Sequence, residues 1–190
     1  MEGPKIINIV GTTNRYMIKK LTQNKAIERK YIKRAKWNLS QDDLQFANQL
    51  KAINEIFFDN LCDNLCDNKI YNNEMSKIIT QQINQKIAGY KNQDVIKNMF
   101  DAYNFIVFTD IVTKMNTCEL KCYYCKQEMV VLYDVSREMK QWSVDRIDNN
   151  KGHNKDNFHL ACLECNLKRR NQSDEKFLFT KQLNIIQKDK

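Results

Sequence analysis

One proline and four glycines in 190 residues leave this chain with almost no backbone punctuation. Pro4, Gly3, Gly11 and Gly89 are all that interrupt the first hundred residues, so long helices are expected there. Long apolar runs are also lacking. Ile6 to Val10 is too short and lacks the basic lead of a secretory signal, and no stretch approaches the roughly 20 apolar residues of a membrane span. Seven cysteines are an odd count, which does not suit a fully paired disulfide scaffold. These absences point to an intracellular protein, cytoplasmic or nuclear, that is neither secreted nor membrane-bound.

Acidic residues are nearly missing from one segment. Residues 14–38 hold nine bases, among them Lys19, Lys20, Arg29, Lys30, Lys33 and Arg34, against the single acid Glu28. The formal net charge of the chain is +8, and this segment accounts for all of it. A basic run is commonly just a solvated helix face. Its concentration favours nucleic acid instead, because each neutralised phosphate releases counterions.

Four of the cysteines form two CxxC pairs, Cys122/Cys125 and Cys162/Cys165, with 36 residues between the pairs. In a reducing compartment, four thiolates so spaced suit the closure of a tetrahedral structural Zn2+ site. Cys118 precedes the first pair by four residues, and a tetrahedral site leaves it no place. Leu61-Cys62-Asp63-Asn64 repeats as Leu65-Cys66-Asp67-Asn68, and its two cysteines are more simply read as buried than as ligands.

Histidine is scarce too, and its placement is informative: His153 and His159 are the only two, both between the CxxC pairs. Val144-Asp145-Arg146-Ile147-Asp148, Gly152-His153, Asp156-Asn157 and Cys162-Leu-Glu-Cys165-Asn166 resemble the zinc-bound branch of the HNH, or ββα-metal finger, nucleases. The resemblance covers roughly 50 residues. It implies a divalent-metal-dependent endonuclease that hydrolyses phosphodiester bonds in DNA, with Asp145 and Asn166 holding a catalytic Mg2+ or Mn2+ and Asn157 bracing the loop. Family members carry a histidine general base directly after the aspartate, where this chain has Arg146. A guanidinium cannot accept a proton, so Arg146 binds a phosphate or pairs with Asp148, and the base comes from elsewhere. His153, in the turn between two strands, is the favoured candidate; His159, on the second strand, is the alternative. Lys168, Arg169 and Arg170, with the basic segment, are expected to hold double-stranded DNA by its phosphates. The competing expectation, resting on Arg146, is an inactive HNH-derived zinc module that binds nucleic acid or serves a larger assembly. Oligomeric state leaves no signature.

The expected class is α+β: a mainly helical part over 1–115 containing the basic segment, a zinc-stabilised ββα-metal finger over 116–172, and a C-terminal helix over 173–190. Arg15 to Trp37 reads as an amphipathic helix. Ser40 and Asp43 form a capping box ahead of a helix reaching Leu61. A third helix carries Ile78, Ile79, Ile83 and Ile87 and ends near Gly89, and Asp94 caps a fourth from Val95 to Met115. Met129 to Tyr133 and Trp142 to Ile147 read as strands, Asn166 to Arg170 as helical, and Ser173 as the cap of a last helix with Phe177, Leu178, Leu183 and Ile186.

Overall fold

The computed structural model describes residues 39–62 and 74–182, which lie within one compact unit. The basic segment 14–38, Cys66, Leu183 and Ile186 lie outside the described residues. Described in chain order are helices α1 (Phe46–Cys62), α2 (Glu74–Ile96) and α3 (Phe108–Thr117), strands β1 (Trp142–Arg146) and β2 (Phe158–Cys162), and helices α4 (Leu163–Arg169) and α5 (Asp174–Gln182). The class is α+β, with a two-stranded antiparallel sheet. No helix among the described residues is long and apolar enough to cross a membrane.

The reciprocal bonds of the expected box form, Ser40 N donating to Asp43 Oδ2 at 2.8 Å and Asp43 N to Ser40 Oγ at 3.1 Å, but they close a turn and the helix itself starts only at Phe46. From α1, Ile53 and Ile56 bury against Ile79 and Ile83 of α2 and Ile111 and Met115 of α3. The same apolar cluster continues through Leu120, Val131 and Trp142 to Phe177, so helices and sheet share one core.

Three expectations are corrected. Helix α2 does not end at Gly89 but runs on to Ile96. A glycine inside a helix costs only about 1 kcal/mol relative to alanine, and the contacts that Tyr90 and Asp94 of the next turns make with Val144 and His153 offset it. The stop is a Schellman motif: Asn98 adopts φ 55°, its N–H reaches Val95 O at 3.1 Å, and Met99 N–H reaches Asp94 O at 2.8 Å. Asp94 is therefore in the last turn of α2 rather than capping a fourth helix, and α3 starts only at Phe108, where Asp110 Oδ2 accepts from Val107 N at 2.9 Å. Between the two helices, Tyr103 is 92% exposed.

Met129 to Tyr133 is not a strand. Its backbone groups are satisfied singly: Val131 N and Leu132 N donate to Gln49 Oε1 at 2.7 and 2.9 Å, and Gln49 Nε2 donates to Leu132 O at 3.1 Å. The buried Gln49 amide acts in place of a neighbouring strand, and only the single bridge Val130 to Gln141 remains of sheet pairing.

Candidate metal centre and cationic cleft

The two CxxC turns meet. The Sγ atoms of Cys122, Cys125, Cys162 and Cys165 all lie within 4.8 Å of one another, with Cys125 to Cys162 at 3.9 Å. Tetrahedral coordination at a Zn–S bond of about 2.3 Å sets neighbouring sulfurs about 3.8 Å apart, so the donor set fits a zinc ion. Local backbone builds it. Lys126 takes φ 58° and donates its N–H to Cys122 O at 3.0 Å, closing the first turn, and Tyr123 N ties that turn to Leu160 O of β2 at 2.9 Å. Cys162 ends β2 and caps α4, its Sγ accepting from Cys165 N at 3.4 Å. Burial and the neighbouring sulfurs push Cys165 up to about 12. Four crowded thiolates are thus unfavourable by themselves, and a dication reverses that cost. Cys118 stands outside the cluster.

Strand β1 pairs with β2 in the register Asp145↔His159. The intervening loop is organised by Asn157, whose side chain accepts from Asp148 N at 2.8 Å and donates to Asp148 O and Gly152 O at 3.0 Å. Asn166, on α4, donates to Ser143 Oγ and Val144 O at 3.1 Å, which fixes the helix against β1.

Asp145 is buried and fully engaged. Tyr124 Oη donates to its Oδ2 at 2.6 Å, Arg169 Nη2 donates to Oδ1 at 2.9 Å, and Arg169 Nε lies 2.6 Å from Oδ2. Burial, then the hydrogen bond to the Asp145 carboxylate and its charge, push Tyr124 well above its ordinary range. Arg169 also donates to Arg146 O and Gln172 O. It is 1% exposed, so the expected phosphate contact by Arg169 is corrected: this cation faces inward because Asp145 needs a buried counterion. For the same reason Asp145 does not present an open carboxylate to a divalent ion beside Asn166. Lys168 is exposed and paired with Glu164, whereas Arg170 is exposed at the end of α4.

A cleft of about 980 Å³ lies between the C-terminal half of α2 and the β1–α4 edge. It brings together Arg146, His153, Asn166, Arg170 and the buried Asp145 with two cations that sequence reasoning missed, Lys86 and Lys97. Among the described residues, Asp145 contributes the only carboxylate of its lining, and Arg169 already matches that charge. Arg146 Nη1 donates to Lys151 O at 3.0 Å rather than pairing with Asp148.

The two histidines differ. His153 is 4% exposed, stacks on Tyr90 at 4.7 Å between centroids, and has Nδ1 2.7 Å from Asp94 Oδ1. Burial holds it below its ordinary value of 6.5; Asp94 opposes that shift, and Arg146 and Lys97 add to it. His159 stacks on Tyr123 at 3.6 Å, lies 3.3 Å from Asp174 Oδ2, and does not line the cleft. Asp94 escaped sequence reasoning because it was read as a helix cap; the one local clue was Asn98, a residue type that tolerates the left-handed conformation ending a helix.

Fold and site define a helical α+β protein carrying a four-cysteine cluster able to bind a metal such as zinc. No protein-family model matches the chain, and neither characterised proteins nor solved structures yield a match.

Proposed function

We propose that the chain is a zinc-stabilised HNH-type endonuclease that hydrolyses phosphodiester bonds in double-stranded DNA. One observation carries this reading: His153, engaged at Nδ1 and with no partner at Nε2 among the described residues, lines the same cleft as Lys97, Arg146 and Arg170. Nε2 takes a proton from an attacking water. The cleft cations hold the backbone phosphates and bear on the negative charge that develops on the non-bridging oxygens. Arg146, standing where the family has histidine, serves as an anion binder because it stays protonated. The resemblance also calls for Mg2+ or Mn2+ between Asp145 and Asn166. Asp145 is already neutralised by Arg169 and held by Tyr124, so that donor set does not fit the ion and no step is derived through it.

A plasmid-nicking assay with Mg2+, Mn2+ and EDTA arms tests the reading. Wild-type protein should convert supercoiled to open-circular DNA, and His153→Ala should lose roughly 10² to 10⁴ in rate. Unchanged nicking by His153→Ala would remove this residue from the chemistry, and no nicking in any arm would remove the nuclease.

The second reading is a zinc module that binds nucleic acid without cutting it. The Asp145–Arg169 ion pair favours it, since it engages the carboxylate that the resemblance assigns to the catalytic ion. Retarded DNA migration with intact plasmid would be its signature.

A further inference from the structure

The geometry points to Asp94 as the positioning residue that fixes the tautomer of His153, presenting Nε2 as a bare proton acceptor to the cleft. The inference deepens the nuclease reading and rests on it for its catalytic consequence. Its structural basis is independent of that reading.

Asp94 Oδ2 lies 2.6 Å from the backbone nitrogen of His153, and Oδ1 lies 2.7 Å from Nδ1 of the same residue. A backbone N–H can only donate, so Oδ2 is committed as its acceptor. The remaining oxygen of an ionised carboxylate is also acceptor-only, so Nδ1 must carry the proton. The neutral ring then has a lone pair at Nε2. Asp94 is fully buried and the imidazole nearly so, and Tyr90, one turn earlier on α2, stacks on the ring at 4.7 Å. Tyr90 is itself anchored, its hydroxyl accepting from Val144 N at 3.0 Å. The charged groups bearing on the ring are Asp94 from α2, Arg146 from β1 and Lys97 just beyond α2.

Gly152 belongs to the same device. A Cβ at this position would stand 2.4 Å from Met99 O and 2.9 Å from Asp94 Oδ2, so only glycine lets the loop deliver His153 to the carboxylate. The acceptor is therefore supplied by the loop and its orientation by a helix 59 residues earlier in the chain. A finger separated from α2 would have the histidine without its constraint.

Asp94→Asn is a nearly isosteric test with a definite outcome. The backbone N–H of His153 claims the single amide oxygen, which turns the amide NH2 toward Nδ1 and forces the ring proton onto Nε2. Nitrogen-15 NMR of the full zinc-loaded chain reads the tautomer directly, with the second histidine assigned by His159→Gln. Expected are an Nδ1–H tautomer in the wild type, an Nε2–H tautomer in Asp94→Asn, and a nicking rate lower by up to about 10⁴, the scale seen when an orienting carboxylate is converted to its amide in a catalytic triad. Gly152→Ala should disturb the same signals. A wild-type ring protonated at Nε2, or an inverted tautomer with undiminished nicking, overturns the proposal. A wild type that nicks nothing yet shows the Nδ1–H tautomer sinks the nuclease reading while upholding the tautomer assignment.

Discussion

Arg169 Nε lies 2.6 Å from Asp145 Oδ2 inside the finger, and neither side chain reaches bulk solvent. The two residues were expected to do unrelated work, one on a phosphate and the other on a metal ion. They form a buried pair joined by Tyr124, which donates to the same carboxylate. Breaking such a pair from one side leaves an unmatched charge in low dielectric. Arg169→Ala should therefore destabilise the zinc-loaded protein by about 3–5 kcal/mol, measured by urea unfolding. Removing both charges, as in Asp145→Leu with Arg169→Leu, should cost less than the sum of the single changes. Strict additivity would show that the two do not interact.

Zinc content is the most direct check on the cysteine cluster. Elemental analysis should return one zinc per chain, and a strong chelator should unfold the segment around Cys122 to Cys165. Structural zinc contributes roughly 10 to 16 kcal/mol in small metal-dependent peptides, far more than a domain's net stability. Cys162→Ser should lose both metal and fold, because this sulfur is ligand and helix cap at once. A Cys162→Ser protein that stays folded with its zinc still bound would mean that the four sulfurs do not form the site.

Salt dependence tests the cleft. Lys97→Gln and Arg170→Gln should each weaken DNA binding and reduce the slope of log affinity against log salt by about 1. Lys168→Gln should matter less, since Glu164 already pairs with that ammonium. Replacing the bases of residues 14–38 by glutamine should flatten the slope further. An unchanged slope in all of these would place nucleic acid elsewhere or remove it as a partner.

Burial depresses both histidines below 6.5. A group with a folded value below its unfolded one contributes stability that is present above the unfolded value and lost as pH falls through the folded one. Unfolding free energy should therefore decline below about pH 6.5, and His153→Gln should remove part of that decline. Nicking should follow the same direction, holding through neutral pH and failing in acid as Nε2 becomes protonated. Stability that rises on acidification would show that the rings are not buried neutral.

Much of the finger was legible in the chain because its signals are local. CxxC spacing, the strand composition of Trp142 to Ile147, the capping serine at 173 and the run after Cys165 each depend on a few consecutive residues, and the corresponding turns, strands and helices form close to the expected places. The misread segments are those in which a distant group decides. Met129 to Tyr133 has strand-like composition, yet Gln49, more than 80 residues away, takes its amides. Gly89 resembles a helix end, yet the following turns stay helical to carry Tyr90 and Asp94 to the finger.

By itself, then, the sequence determined the four sulfurs, the ββα order and the residue types available for chemistry, since covalent spacing and backbone propensity act at short range. Packing alone settles that Arg169 turns inward to Asp145, that Asp94 holds His153, and that Lys86 of α2 and Lys97 just beyond it face the β1–α4 edge across one cleft. The physical reason is that a charge's role depends on what is buried beside it, and burial is set by packing between elements that lie tens of residues apart.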